Sequence, residues 1–247
     1  MFRIIIIIIK SLIWMKIIAT YSGGKGGTGK TTILSYLSLL VATLRESLII
    51  DMSSEGGISN LMLGNPSPPY LRDFLLKKYS LYEVIGVYEV EVSDEIRISF
   101  NMISNMGSLD NLNSNFIDIL VKDPLIMKKI DYIFIDIPTF QQNKHYMDIL
   151  SKTKVLIVME PNSQSINAAL SNSFKDKIYI LNSPHPYPSK IINEAVKILN
   201  KKGIRDVTIF PYDAAVSIAS KYFPKTLAHL SKQFTSSLRK LAIQILR

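Results

Sequence analysis

Ser22-Gly23-Gly24-Lys25-Gly26-Gly27-Thr28-Gly29-Lys30-Thr31-Thr32 is the stretch whose reading decides the fold. The apolar run Ile17-Ile18-Ala19 precedes it, and an apolar-periodic segment with Ile33, Leu34, Leu37, Leu40 and Val41 follows. Strand, glycine-rich loop and helix in that order form the context of a phosphate-binding loop. Gly24 to Thr31 fits its pattern of glycine, four residues, glycine, lysine and Ser or Thr. Glycines allow successive backbone N–H groups to turn inward toward anionic oxygens. A helix starting near Gly29 adds unpaired N–H groups and a positive dipole end. Lys30 is expected to reach the β- and γ-phosphates, and the Thr31 hydroxyl to complete a magnesium shell. The expected ligand is a nucleoside triphosphate with Mg2+.

Lys25 makes the loop more particular, because a second lysine is not needed to cradle one phosphate chain and adds repulsion beside Lys30. Residues Lys25 to Thr32 read Lys-Gly-Gly-Thr-Gly-Lys-Thr-Thr. Here the chain resembles the ParA/MinD family of ATPases, whose deviant P-loop reads Lys-Gly-Gly-x-Gly-Lys-Thr-Thr. The resemblance implies ATP as nucleotide, contacts from Gly24, Lys25, Gly26, Gly27, Thr28, Gly29, Lys30, Thr31 and Thr32, and a nucleotide-sandwich homodimer. In that family the first lysine acts across the dimer, so Lys25 is expected to work in trans.

Other stretches take their place around this loop. Ser47-Leu48-Ile49-Ile50-Asp51 reads as a buried parallel strand ending in an acid. The family continues this strand as Asp-x-Asp-Pro-Gln-Gly-Asn, and the second aspartate orients the attacking water. This chain has Asp51-Met52-Ser53-Ser54-Glu55-Gly56-Gly57, with serine at that position. Glu55 and Asp51 are the remaining carboxylates nearby, so they join Lys25 and Lys30 as candidate catalytic residues, and turnover becomes the open question. Tyr132-Ile133-Phe134-Ile135-Asp136 is an apolar strand ending in aspartate, the Walker B form, and assigns magnesium to Asp136 together with Thr31. Ile137 to Asn143 is the expected γ-phosphate switch. Asn182, at the end of the strand Lys177–Asn182, corresponds to the family's adenine-reading amide. Pro211 falls in a segment similar to the family's last strand and its Ile-Pro-x-Asp turn, which borders the base.

The 247 residues carry a net charge of +9, and it is unevenly placed. Residues 181–247 hold 11 Lys and Arg against 3 Asp and Glu, which indicates a polyanion partner. Candidate DNA contacts are Lys197, Lys201, Lys202, Arg205, Lys221, Lys225, Arg239 and Lys240. With no cysteine, disulfides and thiolate metal sites are excluded. This also disfavours the cysteine-using carriers of metal clusters and of tail-anchored proteins in the same superfamily.

Residues 1–14, with the run Ile4–Ile9, are too short to span a bilayer and lack a small-residue cleavage site. They read as an upstream extension with Met15 as the natural start, leaving residues 15–247 as a single domain. Strand and helix patterns alternate from Lys16 onward, which predicts an α/β, three-layer P-loop fold, a mostly parallel sheet with helices on both faces. Ser163 is a candidate cap for a helix through Ala168. Phe234, Leu238, Leu241, Ala242 and Ile245 form one stripe of the final helix, read as core packing rather than a membrane anchor.

The function expected from this resemblance is that of a ParA-like partitioning ATPase. ATP closes a dimer, the dimer binds DNA non-specifically, and a ParB-type adaptor stimulates hydrolysis and release. Such a protein is cytoplasmic and nucleoid-associated. The rivals are a nucleotide-gated scaffold with little turnover, motivated by Ser53, and a MinD-like positioning ATPase on a membrane.

Overall fold

The computed structural model describes residues 15–140 and 143–247. The expectations for residues 1–14, and for Gln141 and Gln142 of the switch, lie outside the described residues. Eight strands form one sheet: β1 (Lys16–Tyr21), β2 (Ser47–Asp51), β3 (Gly86–Ser93), β4 (Ile96–Ile103), β5 (Tyr132–Asp136), β6 (Lys154–Met159), β7 (Lys177–Asn182) and β8 (Val207–Phe210). Their order is β3-β4-β2-β5-β1-β6-β7-β8. All pairings are parallel except β3 with β4. The central strands are near-continuous apolar runs because both faces are covered; every residue of β2 and β5 is buried.

The helices are α1 (Lys30–Ala42), α2 (Gly57–Leu63), α3 (Leu71–Leu75), α4 (Leu81–Val84), α5 (Phe116–Lys122), α6 (Pro124–Lys129), α7 (Lys144–Ser151), α8 (Ser163–Ala169), α9 (Ser189–Lys201), α10 (Ala214–Ser217), α11 (Ala219–Tyr222) and α12 (Lys232–Leu246). Two apolar cores flank the sheet. One holds Ile33, Leu34, Leu37, Ile58 and Leu241 from α1, α2 and α12. The other holds Leu71, Phe116, Leu150, Ile166 and Leu199 from α3, α5 and α7 to α9. The three-layer α/β architecture expected from the sequence is present.

Unlike a surface helix, α1 is apolar nearly all round and buried on most sides. The chain between α11 and α12 crosses its outer side, where the Tyr36 hydroxyl meets Thr226 Oγ1 at 2.7 Å. The Tyr36 ring packs edge-on against Phe223 and Phe234. The phosphate loop is therefore attached to a helix that is enclosed on most sides. In α12 the expected stripe of Phe234, Leu238, Leu241, Ala242 and Ile245 is buried in the same core.

The structure differs from the sequence reading in detail. Residues 84–100 alternate only loosely in sequence, yet β3 and β4 form a hairpin, with Val90, Val92, Ile98 and Phe100 turned inward and Glu89, Glu91 and Arg97 outward. The cap of α8 is Asn162, whose Oδ1 accepts from the Ser165 N–H at 2.8 Å; Ser163 is instead the first helical residue. The sequence pattern marks none of α2, α4, α6, α7, α10 and α11 as helical.

Candidate functional site

Adjacent β1, β2 and β5 deliver the loop and both acids to the carboxyl edge of the sheet, where ligands of such folds bind. After β1 the backbone takes positive φ at Gly23, Gly24, Gly27 and Gly29. At Gly23 a Cβ would run into the Ala168 backbone, and at Gly29 into the Asn182 side chain. Glycine is required there by both conformation and space.

Lys30 is the first residue of α1 and is 7% exposed. Its ammonium donates to Ser22 Oγ and Thr139 Oγ1, both at 3.0 Å. These partners are neutral hydroxyls. Burial holds the Lys30 pKa below its usual value, and Asp136 offsets this only in part. A buried cation held by neutral groups is an environment that an anionic ligand completes. The Thr28 hydroxyl, also buried, has no partner among the described residues.

Thr31 Oγ1 donates to Asp136 Oδ2 at 2.8 Å, and Thr20 Oγ1 to Asp136 Oδ1 at 3.3 Å. Asp51 and Asp136 are register partners on β2 and β5, both buried. Burial first, and then the Asp51 charge, push the Asp136 carboxyl up to about 7. Two hard oxygens from Thr31 and Asp136 fit Mg2+, which takes few protein ligands and completes its shell with phosphate and water. No group of three or more His, Cys, Asp or Glu poised for a metal occurs among the described residues. The chemistry such an ion would supply here is neutralisation of phosphate charge.

Gly27, Gly29, Lys30, Thr31, Asp136, Thr139, Ser53 and Glu55 line a cavity of about 520 Å³. Asp51 is engaged elsewhere. Its Oδ1 accepts from the Ser53 N–H at 2.8 Å and its Oδ2 from the Ser59 N–H at 2.9 Å. It shapes the loop after β2, whereas Glu55 stands exposed at the cavity. Ser53 Oγ accepts from the Glu55 N–H at 3.2 Å.

A second cavity of about 200 Å³ adjoins the loop and is lined by Thr32, Asn182, Ser183, Pro184, Pro211 and Tyr212. Asn182 and Pro211 thus come together, as the base-binding expectation requires. One Asn182 amide N–H is engaged by the Thr28 carbonyl at 2.8 Å, which ties β7 to the phosphate loop. Lys25 donates to Gln164 Oε1 of α8 at 3.0 Å within its own chain.

The eight candidate DNA contacts do not form one surface. Lys197, Lys201, Lys202 and Arg205 come from α9 and the turn after it; Lys221, Lys225 and Arg239 belong to the layer over the opposite face of the sheet. Lys240 is paired with Asp206 at 3.2 Å. Two residues the sequence reading passed over, Lys175 and Lys177, join Lys202 and Arg205 around a groove of about 590 Å³. Its acids, Asp176 and Asp206, are paired with Lys154 and Lys240. Lys175 and Lys177 sit in a short stretch around β7 whose charge only the fold combines with that of α9.

No protein-family model matches the sequence. An uncharacterized ATP-binding protein of Methanocaldococcus jannaschii is 30% identical over 156 residues, covering 60% of this chain and 55% of that protein. The septum site-determining protein MinD of Thermotoga maritima is 27% identical over 159 residues, covering 60% and 54%. The chain thus spans about half the length of the curated relatives it matches. Among solved structures, Pyrococcus horikoshii MinD complexed with Mg-ADP superposes with TM-score 0.67 at 20% identity, covering 94% of this chain and 96% of that one. The pNOB8 ParA bound to nonspecific DNA gives TM-score 0.64 at 18% identity, covering 94% and 98%. The fold is the one those proteins share.

Proposed function

We propose that the chain is a member of the ParA/MinD family of P-loop ATPases, and that residues 15–247 are one domain that binds Mg·ATP as a sandwich dimer and hydrolyses it slowly. The observation that carries this reading is the constellation of Lys30, Thr31 and Asp136, with Lys25 in the same loop. Lys30 and the loop amides hold the phosphates, Thr31 and Asp136 hold Mg2+, and Asn182 and Pro211 border the base. Lys25 leaves Gln164 to contact the nucleotide of the second copy. Glu55 is the carboxylate that acts on the attacking water, since Asp51 is occupied by two backbone N–H groups.

Between the partition and positioning roles, we favour DNA partition. The apolar stripe of α12 is buried in the core and so is not available to insert into a bilayer. The groove of Lys175, Lys177, Lys202 and Arg205, with its acids neutralised, has the charge to meet a phosphate backbone. The ATP dimer would double this surface on the nucleoid, and a ParB-type adaptor would trigger release. The test is DNA binding against salt concentration, with ATP and with ADP. ATP-dependent affinity with a steep salt slope is the expected result; binding to anionic vesicles in place of DNA would favour the positioning role.

A second reading rests on Ser53. Its hydroxyl accepts from the Glu55 N–H and brings no charge of its own, so a nucleotide-gated scaffold with little turnover is its consequence if Glu55 does not act. Phosphate release in the presence of DNA separates the two.

A further inference from the structure

The segment after β4 carries no motif, yet it holds the loop that presents Glu55. Asn105 is fully buried. Its Nδ2 donates to the Ser53 carbonyl at 2.8 Å and to the Gly107 carbonyl at 3.1 Å, and its Oδ1 accepts from the Arg72 N–H at 3.2 Å. Gly107 in turn donates its N–H to the Ser54 carbonyl at 2.7 Å. From the other side Asp51 holds the Ser53 N–H. Three consecutive peptide groups are therefore fixed, the Ser53 N–H, the Ser53 carbonyl and the Ser54 carbonyl, and Glu55 is the next side chain along. Asn105 also docks the start of α3, beside the Leu71 N–H bond to the Ser104 carbonyl at 2.8 Å. One buried amide thus joins the Glu55 loop, the end of β4 and α3.

We propose that Asn105 is a positioning residue for turnover: it clamps the Ser53–Glu55 backbone so that the Glu55 carboxylate is held over the phosphate cavity. This rests on the reading of Glu55 as the hydrolytic carboxylate. An amide is suited to the position because it donates and accepts at once, and both capacities are used. A carboxylate in its place keeps the acceptor for Arg72 and loses the donor to Ser53. Displacing a catalytic group by about 1 Å costs on the order of a hundredfold in rate, while binding contacts made elsewhere survive.

The test compares the unaltered full chain with Asn105→Asp and Asn105→Ala, using two readouts. Without nucleotide, amide hydrogen exchange at residues 53–57 reports the clamp directly; both variants are expected to exchange about tenfold faster there, with the β1 and β5 amides unchanged. With Mg·ATP, kcat for phosphate release is expected to fall about a hundredfold while ATP affinity shifts less than about threefold. Unchanged exchange at residues 53–57 overturns the clamp. Loss of folding in both variants, or kcat and affinity falling together, makes Asn105 a packing residue only and equally overturns it. Glu55→Gln run in parallel separates the two levels: normal turnover in that variant refutes the Glu55 reading, whereas the exchange result judges the clamp by itself.

Discussion

Replacing Lys30 by methionine should abolish nucleotide binding and at the same time stabilise the nucleotide-free protein. The lysine is 7% exposed, bonded among the described residues only to the Ser22 and Thr139 hydroxyls, and its pKa is lowered by burial. A lowered lysine pKa means that the fold disfavours the ammonium relative to water, with the nearby Asp136 already included. Methionine has similar length and no charge to desolvate. After allowing for the two lost bonds, a gain of about 1–2 kcal/mol follows, or roughly 2–8 °C in Tm for a chain of this size. The sign with pH is fixed by linkage. Because the folded pKa lies below the unfolded one, the penalty of Lys30 is complete below the folded pKa and disappears as pH rises from there toward the unfolded value near 10.5. The advantage of Lys30→Met must shrink over that range. Saturating Mg·ATP reverses the order, since ligand at a hundred times its Kd adds about 2.7 kcal/mol to the unaltered protein alone. Differential scanning calorimetry with and without Mg·ATP measures all of this. A nucleotide-free Lys30→Met protein less stable than the parent refutes the electrostatic account of the loop.

Three further outcomes follow from the same geometry. Asp136 stays protonated up to about 7 in the nucleotide-free fold while the unfolded chain ionises near 4, so stability should fall as pH rises between those values; Asp136→Asn should flatten the profile in thermal unfolding at a series of pH values. Glu55→Gln should lower phosphate release by about a hundredfold or more with ATP affinity nearly unchanged, as measured by single-turnover kinetics and calorimetry. Lys202→Glu with Arg205→Glu should weaken ATP-dependent DNA binding and reduce the salt slope by about one unit per lost phosphate contact, whereas Lys221→Glu with Lys225→Glu should leave that slope unchanged.

What could be read from the sequence was chemistry confined to short segments. The phosphate loop, the acid-ended strands at Asp51 and Asp136 and the stripe of α12 each depend on neighbours a few residues away. The position of Lys30 and Thr31 follows directly from the helix starting where the glycines end. What escaped depends on distant partners. Asn105 works through Ser53 and Arg72, 52 and 33 residues away, and no local pattern marks it. The same holds for Asp51, which looks catalytic as a strand-end acid but is occupied by the Ser53 and Ser59 N–H groups. The basic groove combines Lys175 and Lys177 with Lys202 and Arg205, and only the parallel pairing of β7 with β8 makes them neighbours. The β3–β4 hairpin was obscured because its turn, Asp94-Glu95, lacks glycine or asparagine.

The central claim, that this loop is half of a two-chain ATP site, is tested most directly by the solution mass of the Glu55→Gln protein with saturating Mg·ATP, read by light scattering. The account predicts twice the chain mass with ATP, and the mass of one chain both with ADP and when Lys25→Ala is added. A single-chain mass at saturating ATP, with nucleotide bound by calorimetry, would contradict it.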